Sequence, residues 1–174
     1  MHFKRSIFLD YFEKRISKET LIKELNMESE LFFNNLLSDL ELNYHLKDSE
    51  MIEFLIYALL LWEEYNYFEN AIHLHGFEDI LNALLISDWH MQHETIVLIL
   101  QKIQDKKSLE YIYKAIHLKL EYLEWDENFS FQVKCIRAIG RIGGKEAVEY
   151  LEILRNDSNQ IIAHVAQRQF EKMM

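Results

Sequence analysis

The sequence predicts an all-α protein, an α-solenoid of stacked helical hairpins with an N-terminal helical cap, and three observations predict it. The 174 residues contain no proline and only four glycines, so the punctuation that tight hairpins, sandwiches and barrels need is missing. Apolar residues recur with the 3.6-residue period of a helix along nearly the whole chain. Finally, "KKSLEYI" at 106–112 returns as "KEAVEYL" at 145–151, an offset of thirty-nine. The match extends to Ile103 with Ile142. A second echo, at offset thirty-one, aligns Asp126 with Asp157, Phe131 with Ile162, Cys135 with Ala166 and Ile139 with Phe170. Periods of that size belong to helix pairs that cannot bury their apolar faces alone and pile onto neighbours.

Taken in chain order, the first 47 residues do not fit the repeat and are expected to form the helical cap, with 48–174 as the repeats of one continuous domain. Ser17 stands before "KETLIKEL" and Asp48 or Ser49 before "MIEFLIYALLLW", each able to accept from the free amides of a first turn. That second run contains Glu53 and is well short of the roughly 20 residues that span a bilayer, so it predicts a buried helix and no membrane partner. Asp88 precedes "WHMQHETIVLIL", and Asp157 or Ser158 precedes the last helix. Gly143 and Gly144 suit a left-handed stop after Ile142. A single cysteine excludes an internal disulfide, and the start lacks the apolar core of a secretory leader, so a cytoplasmic site is expected.

Charge carries the clearest functional signal. Ten acids and no lysine or arginine lie between Asp48 and Gln101, and this block equals the whole formal charge of −10. Aromatics interleave it, among them Trp62, Tyr65, Tyr67, Phe68 and Trp89. Such a surface suits a basic protein partner and repels a nucleic-acid backbone. The plainer account is that acids keep a surface solvated while aromatics fill the core. On the C-terminal helices, Lys134, Arg137 and Arg141, then His164, Arg168 and Lys172, form two basic stripes that a stack would set side by side on its concave face. Those cations could equally be the wet side of amphipathic helices.

Catalytic motifs are missing. No glycine-rich phosphate loop or nucleophile elbow is present, and Cys135 falls on an apolar face with Phe131 and Ile139, where a thiol is a small filler. His90 and His93 stand three apart with Glu94 adjacent, and His73 and His75 lie nearby. The zincin spacing is four, with the glutamate directly after the first histidine, so neither a metal nor another cofactor is expected.

The stretch "FQVKCIRAIGRIGGKEAVEYLEILRNDSNQIIAHVAQRQF" resembles the HEAT repeat in its short bacterial form, with an aspartate turn, a small residue in the second helix at Cys135 and Ala166, and an isoleucine-glycine stop. The resemblance covers about residues 77–174. Lys134 and His164 or Arg168 stand where that family often places arginine. Deoxyhypusine hydroxylase, a HEAT-type oxygenase, is similar but holds di-iron between repeated His-Glu pairs, and here there is one such pair, His93-Glu94. Together "ISKETLIKEL", "DWHMQHETIVLILQKI" and "YLEWDENFSFQVKCIRAIG" resemble small bacterial HEAT-repeat proteins of polymorphic-toxin loci.

That resemblance implies a non-catalytic immunity protein that occludes a cognate toxin, a basic protein domain. In this reading Glu63, Glu64, Glu69, Asp88 and Glu94 steer the partner, Trp89 and Trp125 anchor it, and His90, His93, Asp126 and Glu127 form a polar rim. Two rivals stand beside it: an adaptor using the concave basic ridge, and a metalloenzyme built on His73, His75, His90 and His93. Oligomeric state is open.

Overall fold

The computed structural model describes residues 2–27, 31–65 and 76–174, leaving aside the side chains of Glu63 and Tyr65. Among these residues there are α-helices and one 3-10 turn and no strand, as the missing proline and the helical period predict. The chain divides into two compact units, Met1–His73 and Leu74–Met174.

In the first unit, α1 (Arg5–Phe12), α2 (Lys18–Glu24), α3 (Leu31–Leu46) and α4 (Ser49–Tyr65) follow in order. Ser17 caps α2 by accepting from the Thr20 amide at 3.2 Å. Lys47 turns left-handed at φ 52°, and the Asp48 carboxylate then accepts from the Met51 amide at 3.0 Å to start α4. The apolar run is buried from Met51 through Leu61 at eight positions, including Ile52, Leu55, Ile56 and Ala58. No helix among the described residues is long and apolar enough to cross a membrane. Ring contacts tie α1 to α4: Phe8 stacks on Phe54 at 5.2 Å, and the Tyr57 hydroxyl donates to that of Tyr11 at 2.8 Å. Because α4 packs on α3 and α1, it belongs with the N-terminal helices. The expected boundary at 47/48 is therefore corrected to 73/74.

The second unit contains α5 (Glu78–Leu85), α6 (His93–Ile103), α7 (Ser108–Ala115), a 3-10 turn at Glu121–Leu123, α8 (Ser130–Ile142), α9 (Lys145–Leu154) and α10 (Gln160–Met173). These pair as three hairpins, α5 with α6, α7 with α8 and α9 with α10. First helices contact first helices, α5 to α7 to α9, and second helices contact second helices, α6 to α8 to α10, giving two layers. The internal repeat is this stacking written in sequence. The thirty-nine offset superposes α7 on α9, where Ile112 and its equivalent Leu151 are both buried, and Leu109 is buried while its equivalent Val148 is half-buried. The thirty-one offset superposes α8 on α10, where Phe131 and Cys135 are buried like Ile162 and Ala166. Cys135 and Ala166 are small and wholly buried, as closely approaching helices require. Burial also pushes the Cys135 thiol well above its ordinary value.

Gly143 (φ 72°) ends α8 and Gly144 (φ 93°) precedes α9, so the two helices are joined through two left-handed residues that a side chain would strain. The repeated aspartates explain themselves too. Asp126 accepts from the amides of Asn128 (3.1 Å) and Ser130 (2.5 Å) at the start of α8, and Asp157 accepts from the Asn159 amide (2.7 Å) ahead of α10. The residue that caps α10 is Asn159, accepting from Ile161 and Ile162, in place of the expected Asp157 or Ser158.

Candidate functional site

Two turns of the second unit hold most of the residues the sequence singles out, residues 86–92 between α5 and α6 and residues 116–129 between α7 and α8. In the first, the helix does not start at Trp89 as the periodicity of "WHMQHETIVLIL" predicts. It starts at His93 with Gln92 as its unaided cap, so Asp88 caps nothing. The released turn folds back and places two histidines inside.

His90 is 2% exposed and His93 fully buried, which corrects their assignment to a polar rim. Their rings stack at 4.3 Å with 18° between planes. The Gln92 amide donates to His90 Nδ1 at 3.0 Å, so the proton sits on Nε2 and is donated to the Leu84 carbonyl at 2.8 Å. In the same way His93 Nε2–H donates to the Ser87 carbonyl at 2.5 Å, leaving Nδ1 to accept from the Tyr122 hydroxyl at 3.0 Å. Phe131 closes the pocket edge-on to His93 at 5.8 Å. With both nitrogens of both rings occupied, the pair bonds the Leu84 carbonyl, which also accepts from the Ser87 amide at 2.9 Å, and the Ser87 carbonyl just past the end of α5. Desolvation and the neighbouring His93 hold His90 down to about 4, the Leu84 bond opposing. His93 is lowered by burial, with the Ser87 carbonyl and Asp88 opposing. Both are neutral structural groups near neutral pH. Among the described residues no three His, Cys, Asp or Glu side chains could together hold a metal ion; His73 and His75 lie outside the described residues.

Tyr122 is the member of this cluster that sequence reasoning missed. It lies twenty-nine positions from His93, and no local pattern marks it. Burial and the Glu94 charge push its hydroxyl up to about 12, so it remains a donor.

The acids are distributed differently from the expectation. Glu64 pairs with Lys18 at 2.7 Å and Glu94 with Lys134 at 2.9 Å, while Arg5 pairs with Glu50 at 2.8 Å and also with Asp48. Four acids of the block thus have cations brought from elsewhere in the chain. Each pair is at least partly exposed and worth about 0–1 kcal/mol, yet each lowers the outward field. Glu69 and the Glu63 side chain lie outside the described residues. Asp88 is exposed, and Trp89 is half-buried, edge-on to His90 at 5.3 Å.

The second turn is the reverse of the first. Trp125 is 89% exposed, the most exposed of the large apolar side chains described. Glu121, Glu124 and Glu127 around it are exposed as well. Asp126 is spent on the cap of α8, which corrects its place in the rim. Its capping fixes the loop, helped by the Asp126 amide donating to Leu123 (3.0 Å) and the Phe129 amide to Asp126 (3.1 Å). No family model, curated protein or solved structure matches this chain.

Proposed function

We propose that this chain is a non-catalytic, cytoplasmic protein-binding module whose acidic loop, residues 121–127, receives a basic polypeptide. The observation that carries the reading is Trp125, exposed to 89% on a loop that the Asp126 cap holds in place, with Glu121, Glu124 and Glu127 around it. Leaving an indole in water forgoes about 1.5–3 kcal/mol of burial that a partner can recover. A fixed loop loses little freedom on docking, and surrounding carboxylates steer a cationic partner. In the role suggested by the likeness to polymorphic-toxin loci, the module is an immunity protein and the partner its cognate toxin. Trp125 is then the anchor and Glu127 part of the rim, while Asp88 and Trp89 lie on the adjacent hairpin.

Capture by the tagged chain from its native cell tests this. A basic partner retained by the wild type and lost with Trp125→Ala supports the reading, with a drop of about 2–4 kcal/mol if the indole is a hot spot. A partner held equally by Trp125→Ala and by the triple Glu121→Lys, Glu124→Lys, Glu127→Lys variant overturns it.

A further inference from the structure

The second layer of the C-terminal unit has a seam of unusual charge. At Gly140 a Cβ would stand 2.8 Å from Gln169 Oε1 and 3.1 Å from its Cβ, so α8 and α10 meet closely there. Arg137 and Arg141 flank Gly140, and Arg168 and Lys172 flank Gln169, all four exposed. Three and one residues from the contact on α8, and one and three on α10, each pair lies on the outward side of its helix, because Cys135, Ile136 and Ile139 on α8 and Ile162 and Ala166 on α10 take the inward side. None of the four has an ion pair among the described residues. Lys114, Arg155 and Lys134 of this unit do, meeting Glu110 at 2.6 Å, Glu152 at 3.1 Å and Glu94 at 2.9 Å, whereas Lys106, Lys107 and Lys119 stand unpaired among the described residues but are not gathered on one seam. Four like charges are gathered along one seam with Glu171 as the one acid among them on α10, so the seam keeps a local positive excess that a ligand can neutralise.

The geometry points to this seam, Arg137 and Arg141 on α8 with Arg168 and Lys172 on α10, as a docking surface for an acidic polypeptide segment. It is separate from the Trp125 loop and does not depend on the reading given to that loop. Each pair is spaced four residues apart, one helical turn, so the surface offers two short rows of donors to carboxylates. A polypeptide fits better than a nucleic acid. The chain carries −10 overall, so a long uniformly charged backbone running past the seam meets acidic surface, whereas a short acidic segment contacts the seam alone.

The test titrates the full chain into a fluorescein-labelled peptide of alternating Glu and Ala at low salt, beside its Gln-for-Glu counterpart and a labelled single-stranded oligonucleotide. The Arg137→Ala/Arg141→Ala variant removes exposed side chains, and Lys107→Ala/Lys119→Ala matches its change in charge away from the seam. The inference expects Glu-peptide binding that weakens about tenfold or more in the arginine variant, changes less than about twofold in the lysine control, and vanishes for the Gln peptide. Equal weakening in both variants, tighter binding of the oligonucleotide than of the Glu peptide, or no binding by the wild type overturns it.

Discussion

The turns that precede α6 and α8 use nearly the same residues to opposite ends. One reads Ser-Asp-Trp-His and the other Glu-Trp-Asp-Glu, and each joins the two helices of a hairpin in the same stack. Before α6 the histidines fold inward onto the Leu84 and Ser87 carbonyls, the second of which accepts from no backbone amide among the described residues, and Trp89 is drawn partly in against His90. Before α8 the aspartate takes the capping role, leaving Trp125 with no polar group to satisfy inside and directing it outward. The difference teaches that backbone hydrogen-bond demand, and not side-chain hydropathy, decides which turn becomes core and which becomes surface.

Breaking the inward turn should have the largest effect. Phe131 is wholly buried and closes the pocket over His93, so Phe131→Ala should lower unfolding free energy by about 3–5 kcal/mol in urea denaturation. A loss below about 1 kcal/mol would mean the pocket is not packed as described.

Acid should loosen the same turn next. Below pH 6.5 the unfolded chain protonates His90, while the folded chain resists until about 4. Stability is therefore full above the unfolded value and lost as pH falls through that window, by roughly 3 kcal/mol for His90, with His93 contributing in the same direction. Asp88 acts against the shift at His93, and the Tyr122 hydroxyl, itself next to the Glu94 charge, donates to His93. Denaturation midpoints at pH 7, 5 and 4 should show the fall, and His90→Gln should flatten it.

The outward turn gives the smallest and sharpest contrast. Asp126→Ala removes two amide partners and should cost about 1 kcal/mol, whereas Trp125→Ala should stay within about 0.5 kcal/mol. Were Trp125→Ala the more costly of the two, the indole would be packed and no longer available as an anchor.

The stack was readable before any coordinates, because a hairpin that must bury its face on a copy of itself repeats its spacing, and Cys135 with Ala166 marked the close approach. The domain boundary was not. A run such as "MIEFLIYALLLW" is apolar enough to pack on either neighbour, and only its contacts with α1 and α3 decide. The acidic block misled for a related reason: Lys18 meets Glu64 across 46 positions and Lys134 meets Glu94 across 40, separations over which a charge count sees nothing. The histidines misled by residue type. His93 stands three and four residues before the buried Ile96 and Val97, on the apolar face of α6, while the true start at His93 makes His90 part of a folded turn. Trp125 stood in plain view in an acidic loop, and Asp126, read as rim, has a repeat partner in Asp157, which likewise accepts from the amide two residues on.

Cys135 adds a practical consequence. Wholly buried on α8 and holding its proton firmly, the thiol should ignore alkylating reagents while the layer is closed. Its labelling rate then becomes a clock for how often the packing around α8 opens, read from the unmodified protein, and cysteines introduced at the surface can be tagged without interference from the native one.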